Sequence, residues 1–394
     1  MLTEQGCRSR RDRLWKLTAA DVEWIVITHP RHLTYFAAFA PSPFVFNSQN
    51  AEAALILGRD GSAILVADNV QEPFVNAAFA TEKVMPVWYR CVESAEHRSE
   101  LLVRTVLDVL KKCTEKSTGN SLGYEAARCP AAIVDGLRAS RPALRLTNVD
   151  LCVRQLRRAK DPDEVDLIRS SLKAATAALL AAMAELRPGM TELDLYRLVE
   201  RVASEAAGRQ VLVYGDFVSG PRCQQIGGAP SSKVIQSGEL VLLDFSVVID
   251  GYRGDFCNTF VCDGTPSAKE RELYEACFAA MQAGEQVLRA GIPCRQVFAV
   301  VRNMLAERKL AEFFPHHAGH GVGLGHPEPP FLVPESSETL AAGDVITLEP
   351  GVYLPGIAGM RYERNYLITE TGHELLSDHP IRIETPEGCH PAAL

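Results

Sequence analysis

The stretch Leu240-Val-Leu-Leu-Asp244-Phe-Ser-Val-Val-Ile249-Asp250-Gly251 combines the pattern of a buried β-strand with an acid and a hairpin turn. Its apolar and β-branched residues predict a strand, and Asp250-Gly251 is a strong signal for a two-residue hairpin loop. The returning strand then runs from Tyr252 to Val261. The register that follows from this turn pairs Ile249 with Tyr252, Ser246 with Asp255, and Asp244 with Cys257.

This register puts two acids, Asp244 and Asp255, on one face of the hairpin as diagonal neighbours, roughly 7 to 8 Å apart at their Cα atoms. Carboxylates brought together on an apolar face repel each other, and one takes up a proton unless a cation lies between them. Two divalent metals roughly 3.5 to 4 Å apart would remove the repulsion and supply a reactive hydroxide. The alternative is that either acid faces solvent or caps a turn, so the pair alone leaves both readings open.

Further candidate ligands lie near the C-terminus. Four of the ten histidines, His316, His317, His320 and His326, fall in one glycine-rich stretch, and neutral imidazole is a good ligand for Zn, Mn, Fe or Co. The glycines around His320 would let the backbone approach an ion or a substrate. Glu349 and Glu363 each interrupt a further apolar strand; the alternative for each is a surface strand with the carboxylate in water.

Taken together, these residues resemble the peptidase M24 superfamily, which includes methionine aminopeptidase, prolidase, Xaa-Pro aminopeptidase and creatinase. The metal signature of that superfamily is two aspartates on a hairpin, the histidine of Gly-His-Gly, a Glu in Glu-Pro-Gly and a Glu in an Arg-x-Glu strand. The sequence matches all five in order, at Asp244, Asp255, His320, Glu349 and Glu363. The N-terminal part, with Leu33 to Phe36 following His29-Pro30, is similar to the non-catalytic domain of the creatinase/prolidase branch.

The resemblance implies an α+β pita-bread catalytic domain at residues 156–394, preceded by a smaller α/β domain at residues 1–155. It also implies two divalent ions, Mn, Co, Zn or Fe, with a bridging hydroxide that attacks a scissile amide carbonyl. By analogy the ligands have these roles: Asp244 chelates one ion, Asp255 and Glu363 bridge both, and His320 and Glu349 bind the other. Glu349 would also carry a proton to the leaving nitrogen.

The remaining site residues follow from the same resemblance. Besides Glu349, the catalytic candidates are His316, which stands four residues before the metal histidine as in relatives, and His326. Candidates for contact with the substrate are His317 and Arg361. The substrate implied is a small peptide or a small-molecule amide, and relatives are often homodimers.

The sequence departs from the peptidases of the superfamily at two histidines. The histidine that usually stands 17 residues before the first metal Asp is Gly227 here, and the one expected at position 327 is Pro, with His326 one place early. Such groups hold the substrate carbonyl and the tetrahedral intermediate, and losing one donor costs about 2.7 to 4 kcal/mol of transition-state stabilisation. His326 or His317 would substitute from a shifted loop. Asn258 also replaces a common Arg.

Three hypotheses follow. The first is a metallo-exopeptidase of the Xaa-Pro type, and the second, which the altered histidines favour, is a creatinase-like hydrolase or lyase acting on a small non-peptide compound. The third is an inactive pita-bread domain that binds a partner, which ranks lowest because the mutually repelling acids are retained. A cysteine or serine nucleophile is weaker still, since no Gly-x-Ser-x-Gly occurs.

Composition restricts the partners and the compartment. The 394 residues carry 41 basic and 49 acidic side chains, a net charge of −8, without a long basic run, so nucleic acid is not expected. The N-terminus lacks a signal-peptide pattern, and no apolar stretch predicts a membrane span. Eleven scattered cysteines without a Cys-x-x-Cys pair indicate reduced thiols. A cytoplasmic protein is therefore expected.

Apolar periodicity supplies the remaining elements. In the first 150 residues it predicts an α/β domain with strands at Val22–Thr28, Ala53–Leu57 and Ser62–Ala67 and helices at Glu96–Lys112 and Ala131–Leu137. Beyond residue 155 it predicts a helix to about Leu186, a capping box at Thr191–Asp194, helices at 267–290 and 294–308, and strands from 343 to 369. Helices packed on a mostly antiparallel sheet fit this order.

Overall fold

The computed structural model describes residues 1–45, 52–115 and 119–384. The chain forms two compact units, Met1–Arg157 and Arg158–Leu394. The sequence predicts the boundary between residues 155 and 156, two residues before this division.

The first unit is built on a six-stranded mixed sheet. Its elements are α1 (Glu4–Leu17), β1 (Val22–Ile27), α2 (Pro30–Ala37), β2 (Ala53–Gly58), β3 (Ala63–Ala67), α3 (Glu72–Ala77), β4 (Glu82–Val84), α4 (Arg98–Glu115), β5 (Ser121–Tyr124), α5 (Ala131–Ser140), β6 (Arg145–Asn148) and α6 (Asp150–Leu156). The strand order is β4-β3-β2-β1-β5-β6. β2 and β3 are buried along their whole length, as continuous apolar runs in a covered sheet should be. The three predicted strands and two predicted helices are confirmed.

Four helices of this unit, α1, α2, α3 and α6, are not predicted from the sequence. α1 is rich in charged residues, yet Arg10 and Arg11 are buried. Arg10 Nε donates to the carbonyl of Tyr35 and Arg11 Nη1 to that of Phe36, both at 2.8 Å. These carbonyls lie in the last turn of α2, which lacks intrahelical partners. The contact between the helices thus rests on charge-assisted hydrogen bonds that an apolar pattern does not reveal.

The second unit carries helices on three small antiparallel sheets. Its elements are α7 (Pro162–Glu185), α8 (Glu192–Ala207), β7 (Leu212–Ser219), β8 (Leu240–Val248), β9 (Phe256–Val261), α9 (Ala268–Val287), α10 (Cys294–Glu307), β10 (His320–Gly321), β11 (Glu328–Phe331), β12 (Val345–Leu348), β13 (Gly351–Leu354), β14 (Ala358–Arg361), β15 (Arg364–Ile368) and β16 (His373–Leu375). The sheets are β7-β8-β9, β11-β10-β12-β15-β16 and β13-β14. The predicted capping box at the start of α8 is present.

One helix corrects a sequence expectation. By length and composition α7 could cross a membrane, whereas no such segment is predicted. In the structure 56% of the apolar 18-residue stretch of this helix is buried. Ser171, on this helix, donates to the carbonyl of Val247 and accepts from the amide of Gly254 at 3.0 Å. The apolar character of α7 is therefore accounted for by packing against the hairpin strands.

The β8–β9 hairpin has the predicted register, with Asp244 opposite Cys257 and Ile249 opposite Tyr252. The third predicted pair is joined through side chains, since Ser246 Oγ donates to Asp255 Oδ1 at 3.0 Å. The returning strand is shorter than predicted and begins at Phe256. Asp255 thus lies just before the regular strand.

The sequence predicts Glu349 and Glu363 inside strands. In the structure both residues lie instead at breaks between strands. β12 pairs with β15 and β13 pairs with β14, so the two chain segments leave one sheet together and enter another. Glu349 lies between β12 and β13, and Glu363 between β14 and β15. The charge of Glu349 contributes to the raised pKa of Glu363, so the two crossings bring these carboxylates near each other.

Candidate metal centre

The two hairpin acids share one face of the sheet β7-β8-β9. Asp244 lies directly between Asp216 on β7 and Cys257 on β9, and opposed residues of antiparallel strands project to the same face. Asp255 joins this face through its hydrogen bond to Ser246. The carboxylate oxygens of Asp244, Asp255 and Glu363 lie within 4.8 Å of one another. One metal ion fits that spacing.

Glu363 gives the strongest indication of a bound cation in this group. The residue is 1% exposed, and neither carboxylate oxygen has a hydrogen-bond partner within the described residues. Burial, and then the charges of Asp255 and Glu349, raise the pKa of Glu363 well above its ordinary value. A buried carboxylate without a donor is strongly unfavourable. A bound cation would supply the missing partner, so the donor set fits divalent metal.

The pKa values of the neighbouring acids show the same conflict. Burial raises the pKa of Asp244 to about 7 even though Arg361 opposes the shift. Burial also tends to raise the pKa of Asp255, but the hydrogen bond with His326 outweighs it and holds this pKa below its ordinary value. Without metal the centre thus divides into acids that keep a proton and acids that do not, which is the expected response of crowded carboxylates.

His320 presents a free ring nitrogen to the acids. With Nδ1–H donating to the carbonyl of Gly321 at 3.0 Å, Nε2 keeps its lone pair and lies 3.5 Å from Glu349 Oε1 and 3.9 Å from Asp255 Oδ2. Burial lowers the pKa of His320, which favours the neutral imidazole. A hydrogen bond at one nitrogen that fixes the other for coordination is usual for metal-binding histidines.

The glycines beside His320 have a different role from the predicted one. A Cβ at Gly319 would lie 2.0 Å from the carbonyl oxygen of Thr347, and one at Gly321 would lie 2.3 Å from that of Pro329. Both glycines therefore allow neighbouring strands to approach β10. The close approach is to backbone within the sheet rather than to a ligand.

Glu349 is held ready as an ionised group. Burial opposes ionisation, but the hydrogen bond with His317 and the charge of His320 hold the pKa of Glu349 below its ordinary value. Thr347 Oγ1 also donates to Glu349 Oε1 at 3.1 Å. These two contacts fix the Glu349 carboxylate in one orientation in its ionised form.

The other three histidines of the cluster occupy different places. His326 Nε2 lies 2.5 Å from Asp255 Oδ2, and His317 Nε2 lies 3.1 Å from Glu349 Oε1. His316 instead faces the hydroxyl of Tyr353 at 3.2 Å, and burial lowers its pKa to about 4. The catalytic roles predicted for His316 and His326 and the substrate contact of His317 stay predictions.

Arg361, a predicted substrate contact, is 4% exposed and engaged by protein groups at three nitrogens. Nε donates to Asp244 Oδ2 at 2.6 Å, Nη1 to the Tyr353 hydroxyl at 2.6 Å, and Nη2 to Asp216 Oδ2 at 3.1 Å. The bonds to Tyr353 and Asp216 fix the guanidinium of Arg361, and its bond to Asp244 orients that carboxylate. A contact of Arg361 with substrate stays a prediction.

Asp216 is a residue of this face that sequence reasoning missed. Its Oδ1 accepts from the amide of Gly228 at 2.9 Å. A Cβ at position 227 would lie 1.9 Å from Asp216 Oδ2, so the carboxylate fills the volume that a side chain at Gly227 would need. An acid inside the apolar run Leu212–Ser219 was the available signal, but no strand is predicted there.

Asn365 and Asn258 lie near the ligands without belonging to them. Asn365 Oδ1 accepts from the amide of Asp255 at 3.0 Å and its Nδ2 donates to the carbonyl of Asp255, which fixes the backbone of that ligand. Asn258 donates to the carbonyl of Arg382 at 3.3 Å. Since it follows Cys257 in β9, its side chain lies on the opposite face of the sheet. The replacement of the usual Arg there acts away from the acids.

Comparisons with known proteins agree with this site. Residues 166–370 match the model of metallopeptidase family M24, and residues 10–159 match the Creatinase/Prolidase N-terminal domain. The chain belongs to metallopeptidase family M24, whose members depend on two metal ions. An uncharacterised peptidase of Staphylococcus aureus (strain USA300) is 28% identical over 365 residues, which cover 91% of this chain and 95% of that protein.

Solved structures share the two-domain fold. The Xaa-Pro dipeptidase from Bacillus anthracis is 24% identical with a TM-score of 0.79, over 96% of this chain and 99% of that one. The X-Pro aminopeptidase from Thermotoga maritima MSB8 is 23% identical with a TM-score of 0.80, over 94% and 99%. The expected fold, a creatinase-like α/β domain followed by an α+β catalytic domain, is therefore confirmed.

Proposed function

We propose that the protein is a dinuclear metallohydrolase of the Xaa-Pro aminopeptidase/prolidase type, which cleaves a small peptide at the amide bond before proline. The observation that carries the proposal is the group of Asp244, Asp255 and Glu363, whose oxygens lie within 4.8 Å. His320 adjoins this group through Asp255, and Glu349 adjoins His320. The names of the solved relatives support the substrate class.

The five ligands have different roles in metal binding and catalysis. Asp244, Asp255 and Glu363 would hold one ion, and Asp255, Glu363, His320 and Glu349 the other. When bound, the two ions supply a hydroxide and an electrophile for the carbonyl oxygen. Glu349 takes the proton of the attacking water at its carboxylate and passes it to the leaving nitrogen. Arg361 and Asn365 act through Asp244 and Asp255, which they orient.

A turnover assay tests the proposal. Metal-free protein is supplied with Mn, Co, Zn or Fe and offered dipeptides and tripeptides with proline in the second position, with the matched alanine peptides as a comparison. Release of the N-terminal residue from the proline peptides, absent in Asp255→Ala, is expected. No cleavage of any peptide with any of the four metals would reject the assignment.

A second candidate function has its own support at Gly227. The imidazole expected there is missing, and Asp216 occupies its volume, so the group that would hold a peptide carbonyl is replaced by an acid. This favours a creatinase-like reaction on a small non-peptide compound with N–H groups. Turnover of an amidine or a cyclic amide by a protein inactive on peptides would select this candidate over the first.

Assembly and location are also proposed. We infer a homodimer in the cytoplasm, in keeping with the ten free cysteines among the described residues. Light scattering on the purified protein tests the dimer, and fractionation of the native cells tests the location.

A further inference from the structure

Two imidazoles accompany His320 on one side of the centre. His326 joins Asp255 and His320 in a group whose ligand atoms lie within 4.8 Å, and His317 joins His320 and Glu349 in another. The rings of His317 and His326 stand edge-on to that of His320, with centroids 5.2 and 5.0 Å away and interplanar angles of 83° in both cases. Three imidazoles therefore surround one position.

The nitrogens face the same acids that flank His320. His326 Nε2 meets Asp255 Oδ2 and His317 Nε2 meets Glu349 Oε1, the two oxygens that His320 Nε2 also approaches. Ligand atoms around one ion with metal–ligand distances of about 2.0 to 2.2 Å are separated by distances of this order. His317 and His326 thus stand where ligands of the ion beside His320 would stand.

The other side of the centre is chemically different. Its group consists of Asp244, Asp255 and Glu363, so within the described residues it offers carboxylate oxygens alone. Oxygen ligands suit hard ions such as Mn or Mg, while imidazole suits Zn, Cu or Ni. Asp255 belongs to the ligand groups on both sides.

We propose that His317 and His326 are metal ligands in addition to His320, which makes the centre asymmetric: a three-imidazole position beside an all-carboxylate position. The protein would then bind a borderline ion at the first and a hard ion at the second, and fill the imidazole position first with Zn or Cu. This proposal concerns metal binding and is independent of which bond the enzyme cleaves.

The competing explanation is that both histidines only hydrogen-bond to ligand carboxylates. The explanations differ in the number of nitrogens bound to the ion. Electron paramagnetic resonance of a single equivalent of Cu²⁺ counts them through the nitrogen hyperfine splitting. We expect three coupled nitrogens in the intact protein, two in His317→Gln and in His326→Gln, and one in the double variant.

Glutamine is the informative replacement, because it keeps a hydrogen-bond donor of similar reach but offers no imidazole. If the histidines are ligands, each substitution weakens Zn²⁺ binding by about tenfold or more, in the range seen for losses around metal sites. His373→Gln is the matched control, since that ring is half-buried and lies 3.6 Å from Glu285 outside the centre. Its copper spectrum and zinc affinity should equal those of the unchanged protein.

Manganese provides the second arm. The double variant should still bind Mn²⁺ at the carboxylate position, which also shows that it folds, while Asp244→Asn should lose Mn²⁺ but keep Cu²⁺. An unchanged nitrogen count in His317→Gln and His326→Gln, or full zinc affinity in both, would overturn the proposal. Cleavage of peptides is not measured in either arm, so failure here and failure of the proposed peptidase function are separate results.

Discussion

At the scale of single residues, the centre depends on pairs of residues in direct contact. Asp216 fills the space at Gly227, and Asn365 holds the backbone of Asp255. Neither contact is local in sequence. The effect of substituting one residue of such a pair should therefore depend on which residue is present at the other position. Double-mutant cycles measure this coupling.

Gly227→Ala is predicted to destabilise the protein by about 1 to 3 kcal/mol through overpacking, because its Cβ would lie 1.9 Å from Asp216 Oδ2. In the Asp216→Ala background the same change should cost much less, since the carboxylate is gone. Urea unfolding of the four proteins measures the coupling. Additive effects of the two substitutions would show that the volumes are not shared.

His379 should make the protein acid-sensitive. Burial lowers its pKa to about 3, against about 6.5 in the unfolded chain. As the pH falls below about 6.5 the unfolded chain takes up a proton that the folded protein refuses, so stability is lost towards pH 3. His379→Phe keeps the ring stacked on Phe256 and should flatten this dependence in urea titrations at several pH values. The exposed His97→Phe should leave it unchanged.

At the scale of elements, strands deliver the ligands and other elements fix them. The hairpin β8–β9 brings two acids, and the paired crossings between β12–β13 and β14–β15 bring two more. Asn365 on β15 connects these parts by its two hydrogen bonds to Asp255. Together with His320 on β10, the centre is thus assembled where four chain segments meet.

Asn365→Ala is predicted to lower zinc affinity about 10- to 100-fold, as the loss of an outer hydrogen-bond partner usually does, since Asp255 would lose its backbone support. Calorimetric titration of metal-free protein measures this. Asn303→Ala, on the exposed face of α10, is the control. Equal affinities in the two variants would mean that the sheet alone orients Asp255.

The start of α8 offers a prediction about stability alone. Thr191 Oγ1 accepts from the amide of Asp194 at 3.1 Å, and the Asp194 carboxylate accepts from the Thr191 amide at 3.0 Å. Thr191→Ala should cost about 0.5 to 2 kcal/mol. Thr191→Ser keeps the hydroxyl and should cost little. Chemical unfolding of the two variants distinguishes loss of the cap from loss of the methyl group.

At the scale of the whole molecule, the proposed ligands all lie in the second unit, Arg158–Leu394. An ion that binds only the folded state adds about 2.7 kcal/mol when its concentration is 100 times Kd. We predict that added metal slows amide hydrogen exchange in β8, β9 and β12 and leaves the first unit unchanged. Mass spectrometry of peptides with and without chelator is the measurement, and equal protection in both units would contradict it.

The sequence by itself determined the hairpin, its register and the candidate ligands, because the apolar β-branched run, the Asp-Gly turn and the spacing of the acids are local properties of the chain. The α/β and α+β classes followed from the order of apolar patterns. Only the tertiary structure decided the role of Asp216, the orientation of Arg361 and the position of Glu349 and Glu363 at sheet crossings. Those features depend on contacts between segments far apart in the chain, where volume and hydrogen-bond partners are set by packing rather than by neighbouring residues.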